Sequence, residues 1–363
     1  MPPGTLFRYI LGRTAFAVIA LFAALASIVM LVDLLDNLSF ASKVGKDFGF
    51  ALQATLLRTP AMTQALAPFV FLFGSMWMFT QLNRRSELAV MRSAGLSIWR
   101  VIGPAAFLAT IAGVALILVV DPMSSKMMAF AEKMKLESRG QTASLVRVFG
   151  DGIWLRQRDA NELLIINASG FDALQGALMN VTVWRLSPAG AFEERIDAPQ
   201  AVLAGRTIEL REARMKAAGD KFSKRTPTYS VPTQLTLKDF RENVPSAESM
   251  SIWDLPKFMM LAEAAGLSTV QYNIRFHELC STPLKLMAMV LIAAMFSMGP
   301  IRSGNAFRPL LAAVGAGFLL YVLSELSTAL GESGTAPAAL AAWAPSVVAV
   351  IFALAFLMRH EES

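Results

Sequence analysis

The stretch "NRRSELAVMRSAGLSIWR" (residues 83–100) lies between two long uncharged runs, "AMTQALAPFVFLFGSMWMFTQL" (61–82) and "VIGPAAFLATIAGVALILVV" (101–120). Each flanking run is long enough to cross a bilayer as a helix, which takes roughly 20 residues. The chain leaves one run, lays down Arg84, Arg85, Glu87, Arg92 and Arg100, and enters the next. Working outward, further apolar runs stand at 14–35, 280–300, 309–330 and 339–358. With 363 residues, 55% of them hydrophobic and 17% charged, and a mean hydropathy of +0.50, this is the composition of an integral membrane protein. Backbone groups inside lipid must satisfy one another within the segment, so the six runs read as helices.

The charges are segregated. Between Asp121 and Glu278 lie 20 of the 33 Lys and Arg and 19 of the 27 Asp and Glu, so a near-neutral polar domain is inserted between helices three and four. The net charge of +6 comes mostly from Arg8 and Arg13, from Arg84, Arg85, Arg92 and Arg100, from Arg302 and Arg308, and from Arg359. These clusters fall on one side of six alternating helices. The opposite short loops hold Lys43, Lys46 and Arg58, and none in "GESGTAPA" (331–338). The positive-inside rule then puts both termini and the 83–100 loop in the cytoplasm and the inserted domain outside the membrane. The first run extends to Leu35, longer than the apolar core of a secretory signal, which favours an uncleaved first helix. A single cysteine, Cys280, excludes an internal disulfide.

The inserted segment reads as β. "GIWLRQR", "NELLIINAS", "NVTVWRLSP", "RTIELREARM" and "TPTYSVPTQLTL" are short, rich in β-branched and aromatic residues, and broken by Gly, Asp, Asn or Pro. They suit an antiparallel sandwich or open roll with Ile153, Leu155, Leu164, Ile166, Val181 and Val183 inward. Residues 123–137 continue helix three beyond the membrane, and "SIWDLPKFMMLAEAAG" has the spacing of a capped helix ending on Gly266. The domains are 1–137 (helices one to three with the 84–99 element), 138–247 (β) and 248–363 (a connecting helix and helices four to six).

Within 84–99, Leu88, Met91, Leu96 and Ile98 form an apolar face, Ser86 can cap the N-terminus, and Glu87 falls in a first turn where a carboxylate is favoured. An interfacial anchor on anionic lipid explains the arginines but not Glu87. A peg for a partner explains both.

"RRSELAVMRSAG" resembles the element between the second and third helices of the LptF/LptG lipopolysaccharide permeases. So do "RYILGRTAF", "VDLL", "GIWLR", "VWRL", "QYNIRFHELCSTPLKLMAMVLIAAMFSMGPIRS" and "GFLLYVLSEL", in order along nearly the whole chain. The turn "MGPIRS" (298–303) is closer to LptG than to its paralogue. The resemblance implies an α-helical membrane protein with six transmembrane helices and an inserted periplasmic β-jelly-roll domain, in the bacterial inner membrane. It implies an LptF-type permease as partner, two LptB ATPases beneath, LptC and the periplasmic LptA bridge ahead, and lipopolysaccharide as substrate. Glu87 then matches the coupling-helix glutamate, with Arg84, Arg85, Leu88, Met91 and Arg92 framing the ATPase contact. The chain has no G-x-x-x-x-G-K-[ST] element, so nucleotide energy must come through that contact.

Lipopolysaccharide carries acyl chains and a phosphorylated head, so its site needs an apolar cavity with cations outside. Lys43, Lys46, Lys126, Lys133 and Lys135 are placed for the phosphates. Some family members carry a lysine deep in helix one; this chain has Met30 near that place. Met30, Asp33, Leu34, Val322 and Glu325 are candidates for the cavity and its gate on helices one and five, with Gly315 and Gly317 in "AAVGAG" giving a close helix contact. His277 and His360 stand far apart, and neither a metal cluster nor a "GxSxG" element occurs, which argues against an enzyme, a metal or another cofactor. The pI of 9.6 reflects inside-loop arginines and not nucleic-acid binding. Two functions stay open: a permease that encloses lipid, and a scaffold that passes ATPase motion outward without enclosing it.

Overall fold

The computed structural model describes residues 3–361 apart from 139–144, 150–151, 159–162, 173–176, 188–190, 205–206, 220–221, 234–246, 265–267 and 299–306. The chain divides into two compact units, Met1–Ala131 with Asn273–Ser363, and Glu132–Tyr272.

In the first unit α1 (Pro3–Lys43), α2 (Phe48–Arg84), the short α3 (Glu87–Ser93) and α4 (Trp99–Ala115) are followed by a π turn (Leu116–Val120) and by α5 (Asp121–Ser138), whose last residues, from Glu132, belong to the second unit. Three later helices, α7 (Val270–Ser297), α8 (Phe307–Glu332) and α9 (Ala338–Glu361), complete the set. Six of the helical stretches are long and apolar enough to cross a membrane, as the six runs require. They outlast those runs because polar flanks such as "NLSFASK" continue the same helix.

The core of this unit holds Phe71, Leu72, Phe79, Ile102, Leu286 and Met289. Gly113 lets α4 close on α7, since a Cβ there would lie 2.5 Å from the Pro283 Cα. The π turn adds one residue to a helical turn and so rotates everything after it by about 100°. Beyond it Asp121 is buried and pairs with Arg275 of α7 at 3.6 Å. Helix α1 is held differently. Its buried residues are Ile10, Thr14 and Ala17 towards one end and Asp33, Asn37 and Ala41 towards the other.

The second unit holds β1 (Leu145–Phe149), β2 (Gly152–Arg158), β3 (Leu163–Asp172), β4 (Ala177–Leu186), β5 (Phe192–Ala204), β6 (Thr207–Ala217) and β7 (Lys224–Pro232), then α6 (Leu255–Ala264). All neighbours are antiparallel and the order is β1-β2-β3-β4-β5-β6-β7. The sheet is rolled: the Thr233 hydroxyl, just past β7, donates to the buried Gln157 carbonyl of β2 at 2.8 Å. Among the described residues the strands form an up-and-down antiparallel meander curled into this roll. The roll buries Leu164, Ile166, Val181 and Val183 as their alternation requires, with Ile196, Ile208, Leu210 and Val231. The side chains of Ile153 and Leu155 lie outside the described residues.

One line across this sheet breaks the alternation. Asn180 and Glu212 have φ of 47° and 53°, and Pro199 and Pro227 have no N–H to give. Asn180, Pro199, Glu212 and Pro227 stand side by side on β4 to β7, and pairing lapses at each while the register is the same on both sides. On β6 the buried positions are Ile208 and Leu210, then Ala213, with exposed Arg211 and Glu212 between. On β4 they are Ala177 and Leu178, then Val181 and Val183, with exposed Met179 and Asn180 between. A left-handed residue half-turns its strand, so two consecutive side chains point outward and the inward pattern resumes one step later. Pro199 is tolerated in a central strand because both neighbours have already released the ladder there.

Candidate functional site

The end of α2, the α3 helix and the first turns of α1 come together around Glu87. Chain direction reverses at Ser86, whose φ is 58°. Its side chain makes no capping bond, contrary to the capping expected of it. The left-handed backbone takes up the turn and points the hydroxyl away from the helix it precedes. Gly95, at φ 75°, ends α3: the Gly95 amide donates to the Arg92 carbonyl at 3.0 Å and the Leu96 amide to the Met91 carbonyl at 3.1 Å. The helix covers Glu87–Ser93, shorter than the expected 84–99.

Glu87 is satisfied within the chain. The Tyr9 hydroxyl donates to its Oε2 at 2.8 Å, and Arg13 Nη1 donates to Oε1 at 3.2 Å and to Oε2 at 3.3 Å. Arg13 Nη1 also donates to the Tyr9 oxygen at 2.7 Å. Three polar groups one helical turn apart, on α1 and at the start of α3, thus form a closed joint. A neighbouring cavity of about 390 Å³ has Phe16, Ala17, Trp77 and Met78 on its walls and Arg13 and Arg85 at its polar part.

The other coupling candidates divide into two faces. Leu88, 4% exposed, belongs to the core around Leu82 and Val101, and Met91 packs against that core. They are corrected from partner contacts to the apolar root of α3. Arg84, Arg85 and Arg92 are exposed, with Ala89 and Val90 beside them, and Val90 at 66% is the exposed apolar residue that sequence reasoning missed. Helical phase was the available signal, since Val90 is two positions from Leu88 and so on the other face.

Asp33 does not face a cavity. It is 3% exposed, and its carboxylate accepts from Arg58 Nη1 at 2.7 Å and from Asn37 Nδ2 at 2.7 Å. Asn37 Nδ2 also reaches Thr55 Oγ1 at 2.8 Å, so the network joins α1 to α2. This corrects its reading as a gate residue. Met30, Leu34 and Val322 are half-buried, and Glu325 is exposed with the Tyr321 hydroxyl bonded to it. Of the two glycines, Gly317 is buried against the Leu72 side chain, whereas Gly315 faces open space and makes no close contact. Lys43 ends α1, Lys46 sits in the turn before α2, and Lys126 is exposed on α5. Lys133 and Lys135 follow in the second unit, where Lys133 pairs with Glu137 at 3.8 Å. Sequence reasoning also passed over Lys285, half-buried within α7 on the same helical face as Glu278; its signal is a lone cation in "STPLKLMAMVLIAAM".

The family model described as lipopolysaccharide export system permease LptF/LptG matches residues 8–359. The chain belongs to the LptF/LptG family. It is therefore a permease subunit of lipopolysaccharide export, built of six apolar helices and an inserted β-sheet. Among relatives, the lipopolysaccharide export system permease protein LptG of Escherichia coli (strain K12) is 25% identical over 366 residues, covering 99% of each chain. The LptG of Haemophilus influenzae is 23% identical over 376 residues, again covering 99% of each. The matched residues 8–359 include Tyr9, Arg13 and Glu87.

Proposed function

We propose that this chain is the LptG-type half of a permease pair in the inner membrane, with both termini cytoplasmic and the β-unit periplasmic. In this reading it takes lipopolysaccharide from the outer leaflet and passes it to the LptC and LptA bridge. A separate LptB-type ATPase dimer supplies the energy. The observation that carries the mechanism is the joint of Tyr9, Arg13 and Glu87. The exposed side of α3, with Arg84, Arg85, Val90 and Arg92, is the surface an ATPase would push. Leu88 and Met91 root that helix in the core, and Glu87 hands its displacement to α1 through charge-assisted bonds, which are stronger than neutral ones. Helix α1 buries no residue between Val18 and Val32, so it is the element this reading sets in motion. Glu87 thereby serves as a link within the chain, a different role from the direct bond to a basic ATPase residue that the resemblance implied.

The test uses photoreactive residues in native membranes, at Met30, Leu34 and Val322 to capture lipid and at Val90 to capture the ATPase. Lipid adducts at the first three and ATPase adducts at Val90 are expected. ATPase adducts without lipid adducts would move the chain to the scaffold role. Arg13→Ala should leave the Val90 adduct in place and lower lipid released per ATP at least five-fold, whereas Arg8→Ala should not; equal effects would sink the joint as a transmission element.

A further inference from the structure

The crease across β4 to β7 opens a cleft of about 670 Å³ on the outward face of the roll, with Thr182, Asp197, Glu212, Arg214, Arg225 and Thr226 among its walls. Arg214 and Arg225 stand directly opposite each other in the β6–β7 ladder. Side chains so placed start about 5 Å apart, and like charges there are destabilising. Asp197, opposite Arg214 on the other side, is already engaged: Thr182 Oγ1 donates to it at 2.8 Å, and Arg195 donates to both its oxygens at 2.9–3.0 Å. Arg214 and Arg225 have no ion pair with any described residue. The cleft and its flanking row carry Arg195, Arg214, Lys216 and Arg225 against Asp197 and Glu212. One step along the strands, Trp184 stacks on Trp154 with centroids 5.5 Å apart and an interplanar angle of 3°, and Arg195 lies over Trp184 at 5.8 Å.

We infer that this cleft binds a phosphate-bearing saccharide, the anionic head of the exported lipid, while the lipid's acyl chains are held elsewhere. Two guanidinium forks side by side match a phosphate, which accepts from both and removes their mutual repulsion. The Trp184 ring beside them, held between Trp154 and Arg195, presents the edge of an aromatic stack next to charged groups, apolar area against which a sugar can rest. The crease supplies the site, since two successive outward rows widen the face and no ladder bond is lost to a ligand. This inference rests on the export reading above and adds a station for the head group on the outside of the roll.

The experiment places a photoreactive residue at Thr182 of the full chain, assembled with its partner subunits in proteoliposomes, and a second at Met30 in a separate sample. The probes are purified lipopolysaccharide, the same lipid after enzymatic removal of phosphate, and phosphatidylglycerol alone. Lipopolysaccharide adducts are expected at Thr182, which faces the cleft beside Asp197. They should fall at least five-fold in Arg214→Gln/Arg225→Gln and with the dephosphorylated lipid, and persist above half in Arg214→Lys/Arg225→Lys. The lysine pair separates loss of charge from loss of fold. Adducts at Met30 with none at Thr182, or Thr182 adducts indifferent to charge and phosphate, would overturn the head-group site and leave the export reading intact. Equal capture of phosphatidylglycerol would overturn the assignment to the exported lipid. Absence of adducts at both positions would overturn the export path and the cleft together.

Discussion

Replacing Arg58 by alanine should destabilise the helical unit far more than an arginine's removal from a surface does. Arg58 Nη1 is 2.7 Å from Asp33, whose side chain is only 3% exposed. The mutation leaves a buried carboxylate with Asn37 as its remaining donor. Removing one partner of a buried pair costs about 3–5 kcal/mol. Because the Arg58 side chain is itself 22% exposed, water takes part of the charge, and a cost of about 2–3 kcal/mol is expected. At 1.4 kcal/mol per decade that is roughly a 30- to 150-fold rise in the unfolded population. Asp33→Asn should cost about 1 kcal/mol, since Arg58 can turn to water, and the double variant little more, giving a coupling energy of about 1.5–2 kcal/mol. The readout is thermal unfolding of the detergent-solubilised full chain, followed by dye labelling of Cys280, the single cysteine and only half-buried. Additivity within about 0.5 kcal/mol, or an Arg58→Ala cost no larger than that of exposed Arg85→Ala, would refute the buried network.

Two further outcomes test backbone geometry. Gly113→Ala should lower the stability of the chain by about 1–3 kcal/mol, because the new methyl meets Pro283 backbone, while Gly317→Ala should cost less, since the movable end of Leu72 can step aside; thermal melting compares them. Asn180→Gly and Glu212→Gly should each be neutral or stabilising and the valine variants should each lose about 1–2 kcal/mol, because φ near 50° suits glycine and penalises a β-branched residue; equal melting of glycine and valine variants would remove the crease.

Length and hydropathy made the six helices legible, because lipid demands long uncharged runs and nothing else in the sequence looks like them. The 83–100 stretch was legible as a short helix between two spans, and its placement of Glu87 at the first turn is met. Its orientation was not. Leu88 and Met91 look alike as core or as contact surface, and only the packing of α2 and α4 decides. Asp33 was visible as an anomaly, but its partner lies 25 residues away on the next helix, beyond any local pattern. The crease escaped for a related reason: "MN" and "RE" break the alternation on single strands, and their meaning emerges only when four strands bring them into one line. Lys285 could have been found by scanning each apolar run for its exceptions.

Helix α1 has a mechanical consequence beyond its contacts. From Val18 to Val32 no residue is buried, a stretch of about 22 Å at 1.5 Å per residue, while the Arg13 joint lies just before it and the Asp33 network at its far end. A rod pinned at two points and only lightly packed between them bows like a strung bow, and a small rotation at one pin appears as sideways travel at mid-span. The apolar side chains there, Phe22, Ile28 and Leu31 among them, would sweep sideways through the surrounding lipid with both polar anchors unbroken. Stiffness in this stretch is thus a quantity that selection can tune by its alanines and its one serine, Ser27, whose hydroxyl already bonds back to the Ala23 carbonyl at 2.8 Å.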